Sequence, residues 1–301
     1  MALPLNALTA LAAAASWGGG DFSGGMGVKA AGGSTTGALR VVILAHATSL
    51  VVLLVLLAIA GYTVPYGALL WWGVLAGVVA AFSLTAFYMA LARGAMGASA
   101  AVSGLLAAAI PAVVSTALEG APAGLRIAGF VLAAIAIWMI VAGHSPEDGA
   151  IRGSRREDRT TMALAVFGGL GFGVYFVALR LDNPLGVMEP MAIARTTSLT
   201  VCCLLFLAVK RFASKGSTRP QWGFSRGMLL GALGVAVLDT GGNLLFVAAT
   251  RMGRLDVAAV LASLYPAGTI LLAAWWLHEL PTLRQQAGMV LALFAVVLIT
   301  V

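Results

Sequence analysis

Asp21 interrupts an apolar run inside the glycine-rich segment SWGGGDFSGG, and Asp239 with Asn243, four residues apart, interrupts another. A carboxylate in such surroundings is suited to taking up and releasing a proton or to holding a cation. The glycines at 18–20, 24 and 25 let neighbouring backbones come close to it. The competing reading of Asp21 is a packing charge, capped by backbone or paired with an arginine such as Arg40. A spacing of four puts Asp239 and Asn243 on one face of a helix. There they suit either the amino group of a zwitterionic ligand or a buried network between helices. His46 also lies within an apolar run, and an ordinary pKa of about 6.5 makes it a candidate for proton coupling, against the plainer reading of a structural histidine.

Enzymatic chemistry finds little support. His46, His144 and His278 are scattered, with no HExxH spacing for a metal and no serine–histidine pattern for a nucleophile. No catalytic residue, metal ligand or cofactor is assigned. A P-loop pattern is absent, which argues against direct ATP drive. The two cysteines, Cys202 and Cys203, are adjacent within an apolar run and read as helix packing.

The elements that must position these groups are membrane helices. Of 301 residues 61% are hydrophobic and 10% charged, against about 25% charged in ordinary soluble domains. Crossing a hydrocarbon core takes roughly 20 apolar residues. Charge, glycine and proline as punctuation predict ten such helices: Leu5–Val28, Leu39–Ala60, Tyr66–Ala92, Met96–Leu118, Leu125–Ala142, Thr161–Leu181, Pro190–Val209, Ser225–Thr250, Leu255–His278 and Leu283–Val301. No Lys or Arg precedes the first run and its apolar character continues to Val28, so a first transmembrane helix is expected there rather than a signal peptide. The net charge of +7 gathers in hydrophilic loops without a basic, aromatic-interleaved face, which points to lipid headgroups and not to nucleic acid.

The polar stretch HSPEDGAIRGSRREDR divides the chain into a first five-helix unit (1–142), a linker (143–160) and a second five-helix unit (161–301). The two units look like copies. Arg40 answers Arg195 at the head of the second helix of each unit, and 53 residues to Arg93 answer 56 residues to Arg251. Each then passes one proline, Pro111 or Pro266, to an acid, Glu119 or Glu279, followed by Pro, Leu, Arg, Ala and Gly in the same order. An odd number of crossings per unit turns the second copy upside down, the inverted-repeat plan that gives alternating access to a site between the copies. Five Lys and Arg fall on the side of the N-terminus (Arg126, Arg180, Arg195, Arg251 and Arg254) and thirteen on the other, so the charge count favours both termini outside the cell membrane.

Trp17 and Gly18 in SWGGGDF, the ALARG segment ending at Gly94, the TRMGRLDVAAVLASLYP segment ending at Pro266 and the acid-and-turn endings at Glu119 and Glu279 give the chain its family likeness. It resembles the EamA group of the drug/metabolite transporter superfamily over essentially its whole length, most specifically across Thr250–Gly288. The resemblance implies a ten-helix carrier, usually an exporter of amino acids or other small metabolites, with a central cavity between the repeats. It also implies termini inside the cell, where the charge count departs from it.

The expected fold is thus an all-α integral membrane protein of two inverted five-helix repeats. The expected function is secondary transport of a small organic metabolite, an amino acid or relative, with proton exchange through Asp21 or Asp239. A flippase for a lipid-linked substrate is the alternative, and a membrane-embedded enzyme is further off. Trp17, Phe22, Tyr88, Tyr175 and Tyr265 are candidates to line the cavity, with ordinary helix interfaces as the other reading. Arg40 and Arg195 suit a carboxylate ligand or snorkelling to headgroups, and their duplicate placement favours architecture. Pro111 and Pro266 are candidate hinges, and Glu119 and Glu279 candidate structural or gating residues. The partners expected are a small-molecule substrate and membrane lipids; small-residue faces serve packing within one chain or between two.

Overall fold

Hydrocarbon offers no partner for a peptide group, so a chain this apolar must satisfy its backbone within helices. The computed structural model describes residues 4–61, 67–93, 96–142, 155–213, 224–277 and 282–300, and among them no strand occurs. The helices are α1 (Leu5–Ala30), α2 (Thr35–Ile59), α3 (Leu70–Arg93), α4 (Met96–Glu119), α5 (Gly124–Ala142), α6 (Arg155–Leu181), α7 (Met188–Ala213), α8 (Arg226–Met252), α9 (Leu255–Ala262), α10 (Tyr265–Leu277) and α11 (Leu283–Thr300). A 3-10 turn, Asn183–Leu185, joins α6 to α7. Glu279 and linker residues 143–154 lie outside the described residues.

Seven helical stretches are long and apolar enough to cross a membrane, α9 and α10 together forming one of them, and α5 and α11 are shorter apolar helices. The tenth span is α1. Its glycines and alanines dilute its hydropathy, but it sits inside the bundle against α8, α10, α9 and α3 and needs no greasy face. The helices around it turn large apolar side chains outward, among them Val51, Val52 and Val55 on α2 and Leu230, Leu233 and Val237 on α8. So extensive an apolar exterior belongs in lipid. Trp71 and Trp275 are more than two-thirds exposed at the ends of their spans, as interfacial aromatics are.

The second helix begins at Thr35 instead of Leu39, the third at Leu70 instead of Tyr66, and the seventh runs on to Ala213 past Val209; two further differences have a clear cause. The sixth helix starts at Arg155, because Arg and Glu are good helix formers and nothing before Thr161 breaks the turn. The ninth span is broken at Ser263 and Leu264. Pro266 has no N–H to continue the ladder, and the Ser263 hydroxyl takes up the Ala259 carbonyl at 2.6 Å. Pro111 lies within an unbroken α4, where the residues before it are alanines and an isoleucine with no hydroxyl to offer. The two prolines therefore match in sequence and differ in effect.

The packing reads the same from either half when α9 and α10 are taken as one span. α1 packs on α8 as α3 packs on α6; α2 meets α8 as α7 meets α3; α4 meets α6 as α9 and α10 meet α1. The pairs α2 with α7, α4 with α9 and α10, and α5 with α11 map onto themselves. The α1–α8 contact depends on glycine facing glycine, since a Cβ on Gly27 would lie 3.2 Å from the Gly231 Cα. That closeness brings the middle of α1 against the middle of α8.

Candidate functional site

At that contact the bundle gathers a cluster of buried charges, Asp21, Arg195 and Asp239. A Cβ on Gly20 would stand 3.2 Å from the Asp239 nitrogen, so Asp21 on α1 comes beside Asp239 on α8. Arg195 enters from α7, seven residues inside the helix or about 10 Å along its axis, and is only 2% exposed. Its Nη2 donates to Asp239 Oδ2 at 2.5 Å, and its Nη1 meets His46 Nε2, from the middle of α2, at 2.7 Å. A guanidinium only donates, so His46 Nε2 accepts and the imidazole is neutral with its proton on Nδ1. Thr240 Oγ1 lies 3.4 Å from Arg195 Nη2 and 2.6 Å from Ser49 Oγ, tying α8 to α2.

Several polar atoms here have no hydrogen-bond partner among the described residues: Arg195 Nε, His46 Nδ1, Tyr88 Oη, Tyr265 Oη and Asn243 Oδ1. Asn243 spends its amide on the Asp239 carbonyl one turn back, at 2.6 Å. Asp21, 6% exposed, has no hydrogen bond or ion pair among the described residues, while Asp239, Tyr88 and Tyr265 lie within electrostatic reach of it. Tyr88 fits because residue 24 is glycine; a Cβ there would run into its ring.

Aromatic rings wall this cluster. Trp17 stacks on Phe176 at 4.9 Å with the planes 8° apart, Phe176 packs on Phe246 at 4.6 Å, and Tyr265 meets Trp17 and Phe87 edge-on at 6.4 and 6.3 Å. Tyr175 sits beside Phe176, its hydroxyl 3.8 Å from Met191 Sδ. The structure thus brings together Asp21, His46, Trp17, Tyr88, Tyr175, Arg195, Asp239, Asn243 and Tyr265. Phe22 is half-buried beside the core cluster. Arg40 stays apart, near the start of α2 with its guanidinium carbon 5.9 Å from the centre of the Phe206 ring.

Sequence reasoning missed Phe87, Phe176, Phe246, Ser49 and Thr240. Phe246 had a signal: it lies three residues after Asn243 and seven after Asp239, on their face of the helix. Glu119, a structural or gating candidate from the sequence, centres a second polar group on the N-terminal side, whose other members, Arg180, Arg254 and Asp256, sequence reasoning did not assign to it. Glu119 ends α4, pairs with Arg180 at 3.3 Å and accepts the Leu255 N–H that opens α9 at 3.0 Å. Arg254 donates to the Glu119 and Gly120 carbonyls and pairs with the buried Asp256 at 2.8 Å. Glu119 is therefore a corner piece joining α4, α6 and α9.

The model of the EamA-like transporter family matches residues 159–301, the run from α6 to α11. Residues 159–301 are thus similar to EamA-like transporters. The family belongs to the drug/metabolite transporter superfamily, and the second-half residues of the cluster, Arg195, Asp239 and Asn243, all lie within the matched EamA-like segment. A crystal structure titled only as that of a protein is similar in fold over 95% of this chain and 96% of its own, with a TM-score of 0.64 at 17% identity. No curated protein matches the EamA-like chain in sequence.

Asp182, at the end of α6, supplies a pH test of the fold. Its carboxyl is buried, neither oxygen has a hydrogen-bond partner among the described residues, and burial pushes its pKa up to about 6. The folded chain then binds this proton more tightly than the unfolded chain does. The stability it gives is full below the ordinary range of about 4 and is lost as pH rises through about 6. Asp182→Asn is expected to raise the thermal midpoint of detergent-solubilised protein by several degrees at about pH 7.5 and to leave it unchanged at about pH 4. Equal midpoints at the higher pH would show that the ionised group is not penalised.

Proposed function

We propose that this EamA-like chain is a secondary carrier of amino acids or close relatives, an exporter working by alternating access and exchanging substrate for protons. One observation carries the reading. Among the described residues, the buried cluster has a carboxylate without a donor, Asp21, beside several donors without acceptors, Arg195 Nε, His46 Nδ1 and the Tyr88 and Tyr265 hydroxyls. The complement of that set is a molecule with one ammonium and one carboxylate. The ammonium takes the place of a proton on Asp21, so the acid is neutralised with substrate or without it. The carboxylate takes charge-assisted hydrogen bonds from the donors. The stacked Trp17, Phe176 and Phe246 suit an apolar side chain.

The packing that repeats on exchanging halves supports two inverted five-helix repeats, 1–142 and 161–301, rocking about this site. Arg195, buried at the centre, no longer counts toward the rim charge. Four Lys and Arg then stand on the N-terminal side against thirteen opposite, which supports a cell-membrane orientation with both termini outside.

The test is uptake of a pooled, labelled amino-acid mixture into liposomes holding the purified chain, with and without a pH gradient. Gradient-stimulated uptake of one or more amino acids is expected. Movement of no amino acid under either condition, with a labelled lipid crossing instead, would replace this reading with that of a flippase.

A further inference from the structure

A cavity of about 490 Å³ opens on the N-terminal side, between the end of α6, the 3-10 turn and the end of α8, lined by Arg180, Asn183, Pro184, Thr250, Arg251 and Met252 among others. Its size falls in the range of about 300–1,000 Å³ usual for small-molecule sites. It is separate from the central cluster and holds two guanidinium groups. Arg251 reaches it after giving one Nη1 bond to the Asn183 carbonyl. Asn183 is fixed by its own amide, which donates to Thr250 Oγ1 at 3.0 Å, and Thr250 in turn donates to the Val247 carbonyl at 2.9 Å. Arg180 Nε and Asn183 Oδ1 are buried there without a hydrogen-bond partner among the described residues.

The opposite edge of Arg180 holds the corner described above. Its Nη2 bond to Glu119 is long, 3.3 Å, and the two side chains are 33% and 17% exposed. A partly exposed pair of that geometry is weakly held and readily exchanged. Glu119 has two other partners, the Ser115 hydroxyl at 2.8 Å and the Leu255 N–H.

We infer that this cavity is a second binding site, which takes the carboxylate of the transported substrate on Arg180 and Arg251, and that its occupation unlatches α6 from the corner of α4 and α9 by drawing Arg180 off Glu119. The choice of a carboxylate ligand rests on the amino-acid reading above. A planar carboxylate is the anion that a guanidinium fork matches, and two arginines line this cavity. The site is thus both a collecting point and a gate.

The experiment uses propionate as probe, propionamide as its neutral match, and the full chain in detergent carrying Cys202→Ser, Cys203→Ser and Met252→Cys. Propionate is expected to slow maleimide alkylation at position 252 severalfold, propionamide to leave it unchanged, and Arg180→Gln or Arg251→Gln to remove the protection. Asp239→Asn, which breaks the central pair, is expected to retain it. In the unaltered chain, propionate should also speed hydrogen exchange at the Leu255 amide, whose acceptor Glu119 is loosened. Equal alkylation with propionate and propionamide overturns the second site, even if amino acids move in liposomes and the carrier reading stands. Protection by propionate with no amino acid transported keeps the site and refutes the carrier.

Discussion

Arg195→Gln is expected to abolish amino-acid uptake in liposomes and to destabilise the purified chain by about 3–5 kcal/mol, the usual penalty for removing one partner of a buried ion pair. The guanidinium is the hub of the cluster, bound to Asp239 at 2.5 Å and to His46 at 2.7 Å with almost no exposure. Without it Asp239 remains a charge in the middle of α8 with no cation beside it, and His46 loses its donor. The double change Arg195→Gln with Asp239→Asn removes both charges and is expected to recover most of the stability while leaving transport abolished. Thermal denaturation in detergent and uptake in liposomes read the two effects separately. Lysine in place of Arg195 should fold better than glutamine and transport poorly, since one ammonium cannot serve Asp239 and His46 with a rigid fork. Uptake at the parental rate by Arg195→Gln would remove Arg195 from the site.

The helices were legible in the sequence because lipid leaves so little choice: runs of about 20 apolar residues admit one structure. Helix ends were less legible. Charge was read as a stop before Thr161, yet Arg155–Arg159 are helical, because a helix leaving the membrane may carry any residue that does not break it. The break at Ser263 followed from Pro266, whereas Pro111 showed that proline alone does not decide the matter. In the site, Asp21, Asp239 and His46 stood out as polar residues that hydrocarbon does not tolerate unpaired. Arg195 stood out less. Its match to Arg40 suggested a rim arginine, and only the packing of α7 against α2 and α8 reveals that one copy sits on the periphery while the other meets Asp239. A match in sequence spacing does not fix the depth at which each side chain ends, and the aromatic wall was hidden for the same reason. Phe87, Phe176 and Phe246 look like any apolar residue until α3, α6 and α8 are laid side by side.

Asp21→Asn is expected to weaken substrate exchange, because an amide cannot pair with the ammonium, and to abolish the response of the remaining exchange to a pH gradient. Asparagine keeps the shape of a protonated aspartate and fixes it in the neutral state, so the tight packing of α1 on α8 around Gly20 and Gly27 is undisturbed. If one proton leaves Asp21 for each substrate that binds, one pH unit across the membrane is worth about 1.36 kcal/mol, an accumulation ratio of about tenfold when the membrane potential is clamped to zero. The variant should bring that ratio to about one, with labelled substrate exchanging only slowly, and independently of the gradient, against unlabelled substrate inside the vesicles. Asp21 is the residue to change because, among the described residues, it lacks a partner, whereas Asp239 is held by Arg195 and His46 is spent as an acceptor for the same guanidinium. A group already paired has to break that pair to pick up a proton, whereas Asp21 gains or loses one without disturbing its neighbours. Should Asp21→Asn accumulate substrate with the parental gradient dependence, the coupling proton is carried elsewhere, and Asp239 with Arg195 would have to open in each cycle to carry it.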